Sequence, residues 1–178
     1  TRKESSAASD VYKRQHSYSK MSSTMALEKG IAELVEEFIA AGRPSSRQQS
    51  ITQRREGYIA SAVLAGETET RVDIQTIELE GMTLRIVSPL NAPTLLPTII
   101  YYYGGCFVSG GFATHDNQLR QLAYYGQCRI IAVQYRLAPE HTFPAAHDDA
   151  QRGAELVRQH AERLGVDKQL SLIHISEP

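Results

Sequence analysis

The 178-residue chain contains no tryptophan and only two cysteines. Cys106 and Cys128 lie too far from other thiols to give a metal-ligand spacing. A lone pair of cysteines is also weak evidence of a disulfide framework, so a reducing, cytoplasmic compartment is expected. No stretch approaches the ~20 apolar residues needed to span a bilayer. No basic segment followed by an apolar run opens the chain, so no signal peptide is expected. Neither sign of charge dominates. Lys and Arg together number 19 against 20 for Asp and Glu, a net charge of −1. Nothing therefore points to a nucleic-acid or anionic-membrane partner. Internal repeats and low-complexity stretches are also missing. What is present is an ordinary globular composition, 42% hydrophobic and 22% charged, in a length that suits one domain.

The two ends differ in character from the middle. TRKESSAASDVYKRQ opens the chain and LSLIHISEP closes it, and neither joins the apolar periodicity of its neighbours. Both resemble translated sequencing-adapter text. Residues 1–15 and 170–178 are therefore set aside as non-native tails. Residues 16–68 are expected to form a helical cap, and residues 69–169 the first half of an α/β domain.

Within 24–41, Leu27, Ile31, Leu34, Val35, Phe38 and Ile39 recur at helical spacing, with Gly42 and Pro44 as a stop. A second helix is expected from Ser50 to Ala65, ended by Gly66. The period then changes. Val72 and Ile74, and then Met82, Leu84 and Ile86, alternate with polar residues as strands do, and Glu80-Gly81 between them suits a hairpin turn. Thr98–Tyr103 and Arg129–Tyr135 are continuous apolar runs, suited to parallel strands buried on both faces. Between them, Thr114 to Tyr125 reads as a helix with Thr114 as N-cap and Gly126 as stop. A last helix is expected over 145–164, closed by Gly165. The order is two helices, a hairpin, then β-α-β-α. That implies an α/β fold, mostly parallel, with antiparallel first strands and a helical N-terminal appendage.

The loop after the first buried run reads Tyr103-Gly104-Gly105-Cys106-Phe107-Val108-Ser109-Gly110-Gly111. It can turn sharply and present backbone N–H groups at the carboxyl edge of the sheet, where open α/β sheets bind ligands. The chain lacks G-x-x-x-x-G-K-[ST] and G-x-G-x-x-G, which disfavours a phosphate cradle. An oxyanion hole fits better, because lipases and esterases use an HGGG-type sequence at this place. A glycine-rich turn without a site is the bland alternative. Cys106 could also be read as a nucleophile with His115 or His141 as base. A small thiol in a loop is more often inert. Asp148 and Asp149 fall near a helix start, where carboxylates suit the dipole.

The second segment is Tyr135-Arg136-Leu137-Ala138-Pro139-Glu140-His141-Thr142-Phe143-Pro144-Ala145-Ala146. Taken with YYYGGCFVSGG, it resembles the bacterial hormone-sensitive-lipase-like α/β-hydrolases, a family of carboxylesterases that includes acetyl esterases. The resemblance covers residues 70–169, and the helices at 24–65 fit the family's cap. It implies a serine esterase for short-chain acyl esters that uses no metal or organic cofactor. By position, Tyr103, Gly104, Gly105 and Cys106 stand where the family has HGGG, so the backbone N–H groups of Gly105 and Cys106 are the expected oxyanion donors. Tyr103 replaces a His and Cys106 a Gly. The donors are main-chain groups, so neither change removes one. A Cys fits less well than Gly if φ there is positive. Pro139 and Pro144 are expected to stiffen the second loop, Arg136 and Glu140 to pair, and His141 to pack.

No G-x-S-x-G nucleophile elbow occurs in the chain. The family's serine, and the Asp and His that follow it, have no counterpart here. This chain is thus expected to be a truncated, inactive form, with open strand edges at 98–103 and 129–135. A non-catalytic binding module on the same fold and an amide or formamide hydrolase remain alternatives.

Overall fold

The computed structural model describes residues 29–42, 44 and 48–175, with side chains for 30–42, 44 and 48–169. The stretch 1–15, and residues 24–28 of the first expected helix, lie outside them. Two compact units divide at residues 45 and 46. The first holds helix α1 (Lys29–Ala40), followed within two residues by left-handed Gly42, one of the two residues read as its stop. The second holds the remaining elements.

Helix α2 (Ile51–Ser61) starts in a capping box. The Gln53 N–H donates to Ser50 Oγ at 3.2 Å, and the Ser50 N–H donates to Gln53 Oε1 at 2.9 Å. It passes into a short 3₁₀ turn at Ala62–Ala65 rather than running on as α-helix. Strands β1 (Val72–Leu79) and β2 (Met82–Pro89) form an antiparallel hairpin, Leu79 facing Met82. Glu80 and Gly81 both have positive φ, as a two-residue hairpin turn of this hand requires. Strand β3 (Leu96–Tyr102), helix α3 (Phe112–Gly126) and strand β4 (Arg129–Val133) make the βαβ unit. Helix α4 (Ala145–Gln159) then leads to β5 (Val166–Ile175).

The sheet order is β1-β2-β4-β3-β5. Strand β2 meets β4 antiparallel, and β3 is parallel to both β4 and β5. This corrects the expected open edges. Strand β3 is flanked on both sides and so is β4, while β1 and β5 form the rims among the described residues. Residues 170–175, set aside on sequence, continue β5, with Thr98 opposite Ser171 and Tyr102 opposite Ile175.

Adjacent residues of a strand face opposite ways, and β3 shows what that does. Tyr101 faces His115 of α3, whereas the Tyr102 hydroxyl donates to the Ala150 carbonyl of α4 at 2.6 Å. Helices therefore cover both faces. That is why Ile130, Ile131, Ala132 and Val133 of β4 are all fully buried and form a continuous apolar run.

Several boundaries move. Helix α3 begins at Phe112, and Thr114 sits one turn in, exchanging hydrogen bonds with the backbone of Gly111. Its left-handed stop is Gln127 rather than Gly126. Helix α4 ends at Gln159, and residues 160–165 turn toward β5. There the Arg129 guanidinium donates to the carbonyls of Thr94, Leu164 and Gly165. No helix among the described residues is long and apolar enough to cross a membrane.

Helix α4 comes close to the sheet at Gly153, where an added Cβ would lie 2.7 Å from Val133 Cγ1. A Gly153→Val variant is expected to lose about 1–3 kcal/mol, the usual range for an overpacked core, in urea denaturation followed by circular dichroism.

Candidate active site

The connection from β3 to β4 runs toward the hairpin, and the one from β4 to β5 runs back past β3. The direction in which the connections progress across the sheet therefore reverses between β3 and β5, although the two strands are parallel. Crevices outside the carboxyl ends of strands at such a switch point are the usual ligand sites of open α/β sheets. The glycine loop, residues 103–111, leaves β3 at this point.

Its geometry follows from a tight left-handed turn. The Gly105 carbonyl accepts from the Val108 N–H at 3.1 Å and the Ser109 N–H at 3.0 Å, and the Ser109 hydroxyl donates to it as well. Cys106 and Phe107 occupy the two central positions with φ of 55° and 58°. Neither is glycine, and each such residue costs roughly 1–2 kcal/mol in this region. Glycine is obligatory on either side of the turn. A Cβ on Gly105 (φ 145°) would run into the Ser109 carbonyl, and one on Gly110 (φ 97°) into the Gly104 carbonyl.

The turn leaves main-chain donors over. Among the described residues, the N–H groups of Gly105 and Cys106, like those of Gly104, Phe107 and Gly110, have no hydrogen-bond acceptor, while the carbonyls of Tyr103, Gly105, Phe107 and Val108 are engaged. Tyr103 and Gly104 are buried, Gly105 is half-buried and Cys106 is exposed. A pair of unused N–H groups beside an open edge can stabilise a negative oxygen.

Tyr103 anchors the loop at the position where the resembled family has a histidine. Its ring stacks on Tyr135 at 4.5 Å. The Tyr103 hydroxyl donates to the Tyr135 carbonyl at 3.4 Å, and the Tyr135 hydroxyl returns a bond to the Tyr103 carbonyl at 2.5 Å. Burial pushes the Tyr103 phenol up to about 12, so it stays a donor.

The second loop carries corrected pairings. Arg136 does not reach Glu140. Its backbone N–H, Nε and guanidinium NH2 all face α4, and one carboxylate, Asp149, accepts from all three at 2.7–2.9 Å. Burial opposes that charge, yet the Arg136 bonds outweigh it and hold Asp149 below its ordinary value. Asp149 is thus an ion-pair partner, while Asp148 occupies the first turn. Glu140 pairs with Arg55 of α2 at 2.7 Å and is held down at about 2 by that guanidinium. Arg55 also donates to the Val108 carbonyl at 2.8 Å and the Ala138 carbonyl at 2.9 Å. Sequence reasoning missed Arg55 altogether, because it is one of several polar residues on a weakly apolar helix.

Among the described residues, neither His115 nor His141 is hydrogen-bonded to Cys106. His141 is exposed rather than packed. His115 is buried between Tyr58, Tyr101 and Tyr103, with Nδ1 at 2.8 Å from Thr114 Oγ1 and Nε2 at 3.4 Å from Tyr58 Oη. His147, which the sequence did not single out, stacks on Phe107 at 5.3 Å and meets Phe143 edge-on at 5.1 Å. Phe143 is 80% exposed and Phe107 39% exposed, so an apolar patch borders the loop.

Burial lowers the His115 pKa, only partly offset by its backbone bond at Gly111. The unfolded chain therefore binds the proton more readily. Stability contributed by neutral His115 is present at neutral pH and falls as pH drops below the ordinary value of about 6.5. Urea midpoints between pH 7.5 and 5 are expected to decline, and a His115→Gln variant to show a flatter profile across that window.

Residues 99–173 match the model of the α/β hydrolase fold family. Carboxylesterase NlhH of Mycobacterium tuberculosis is 37% identical over 102 residues, 56% of this chain and 32% of that protein. An ethyl acetate hydrolase of Pseudomonas putida is 34% identical over 146 residues, 77% of this chain and 46% of that protein. Among solved structures, an ester hydrolase from the metagenome of Lake Arreo superposes with a TM-score of 0.72 at 31% identity, over 85% of this chain and 50% of its own. A hyperthermophilic esterase from the archaeon Pyrobaculum calidifontis gives 0.73 at 32% identity, over 85% and 50%. The chain spans at most about half the length of these relatives. Sheet order, loop position and these likenesses agree: the chain has the first part of an α/β-hydrolase fold and is similar in sequence and structure to esterases of that fold.

Proposed function

We propose that the protein carrying these residues hydrolyses carboxylic esters with short acyl chains by two-step serine acyl transfer. The reading rests on one observation above all, the unused N–H groups of Gly105 and Cys106 at the sheet's switch point. In this mechanism a serine attacks the ester carbonyl and a histidine takes its proton, then returns it to the leaving alcohol. The carbonyl oxygen gains negative charge as the tetrahedral intermediate forms. Gly105 and Cys106 donate to that oxygen, and a third N–H would follow the serine. Tyr103 and Gly104 hold the loop that presents them. The 178 residues contain no G-x-S-x-G, so the serine and its Asp and His would come from sequence outside them. The N-terminal helical segment, residues 16–68, would correspond to the cap of such enzymes. The free thiols of Cys106 and Cys128 suit a reducing cytoplasm.

The longest product of the gene is expected to take one fluorophosphonate label on a serine and to turn over p-nitrophenyl acetate and butyrate. The 178-residue chain should do neither. In the longer product, Gly105→Ala keeps the N–H but drives a Cβ into the Ser109 carbonyl, and the displaced donor should lower kcat/KM by about 10²-fold or more. A longer product that takes no label and cleaves no ester would remove the proposal and leave a binding module as the better account.

A further inference from the structure

The strained turn at Cys106-Phe107 is held from outside the loop at two carbonyls. Phe107 O accepts from the Ala138 N–H at 2.8 Å, and Val108 O accepts from Arg55 Nε at 2.8 Å. The same guanidinium donates through NH2 to Ala138 O at 2.9 Å, and through NH1 and NH2 to the two oxygens of Glu140 at 2.8 and 2.7 Å. One planar fork thus joins helix α2, the glycine loop and the loop after β4. Two consecutive non-glycine residues with positive φ would relax unless their surroundings over-determined them. Arg55 and Ala138 supply that constraint.

We propose that Arg55 is a positioning residue, fixing the N–H groups of Gly105 and Cys106 in donor geometry by clamping the carbonyl at Val108 to the loop at Ala138–Glu140. The proposal rests on the oxyanion-hole reading for its functional meaning, though the clamp itself can be tested without it. Arg55 precedes Val108, the loop residue it holds, by 53 residues, and its role is positioning. Its flat, forked set of donors is what the site uses. A lysine ammonium reaches one such acceptor well but cannot span four. Glu140 orients the fork, so removing its charge should weaken the clamp less than removing the guanidinium.

The 178-residue chain allows a direct test by amide hydrogen exchange and by the rate of iodoacetamide alkylation. Exposed Cys106 serves as the probe and buried Cys128 as the internal reference. In Arg55→Lys and Arg55→Ala, the protection of the Val108, Ser109 and Ala138 amides should fall by about tenfold or more, as for a local opening, while that of Ile130 and Ile131 in β4 holds. Cys106 amide shifts and alkylation should change with them, Cys128 should not, and Glu140→Gln should give an intermediate effect. Uniform loss of protection across the sheet, or an undisturbed loop in Arg55→Lys, overturns the proposal. In the longer gene product, Arg55→Lys should lower kcat about tenfold with KM changed less than about threefold. If that product cleaves esters but kcat is untouched, the clamp has no catalytic role and the proposal fails while the esterase reading stands. If the loop loosens as described but the longer product cleaves nothing, the clamp stands and the esterase reading fails.

Discussion

Strands β3 and β4 run in parallel and stop side by side at the carboxyl edge, where the ladder no longer satisfies their last carbonyls. Tyr103 and Tyr135 solve this for each other. Each phenol donates to the other's backbone carbonyl while the rings stack between them. A buried carbonyl without a donor costs about 1–3 kcal/mol, so the exchange fixes where both loops depart from the sheet. The glycine loop and the loop after β4 start from this shared base, and the Phe107–Ala138 bond and the Arg55 fork then connect them farther out.

The loop itself shows a division between what must be glycine and what need not be. Gly105 and Gly110 approach other backbone atoms too closely for any side chain. Cys106 has room around it and pays in conformation instead, at φ 55°. The departure from an all-glycine motif therefore falls at the position where a side chain points to solvent, and the main-chain N–H groups keep their place. Charge is handled in the same spirit. Arg136 and Arg55, which border one cleft, each have a carboxylate assigned from a different element, Asp149 from α4 and Glu140 from the second loop.

Much of this was legible in the residues. Periodicity found the hairpin, both buried strands and the helix between them, because an element covered on two faces must be apolar throughout. The glycine spacing after β3 found the loop. The pairing of charges was not legible. Arg136 and Glu140 are four residues apart and look like a local pair, but direction off the strand decides, and Arg136 turns toward α4. Arg55 carried no signal at all, since its partners are 53 to 85 residues away in sequence. Strand β5 was missed for another reason. Its second half differs in character from the rest of the chain, and backbone pairing with β3 does not depend on that character.

The absence of tryptophan gives the tyrosine pair a second significance. With no indole to dominate, the near-ultraviolet optical activity of the folded chain comes from its tyrosines and phenylalanines. Two phenol rings stacked 4.5 Å apart at an interplanar angle of 20° are coupled chromophores in a fixed chiral arrangement. They stand at the root of the loop that offers the free N–H groups. The pair thereby contributes, among nine tyrosines, to a near-ultraviolet signal readable in solution without any label.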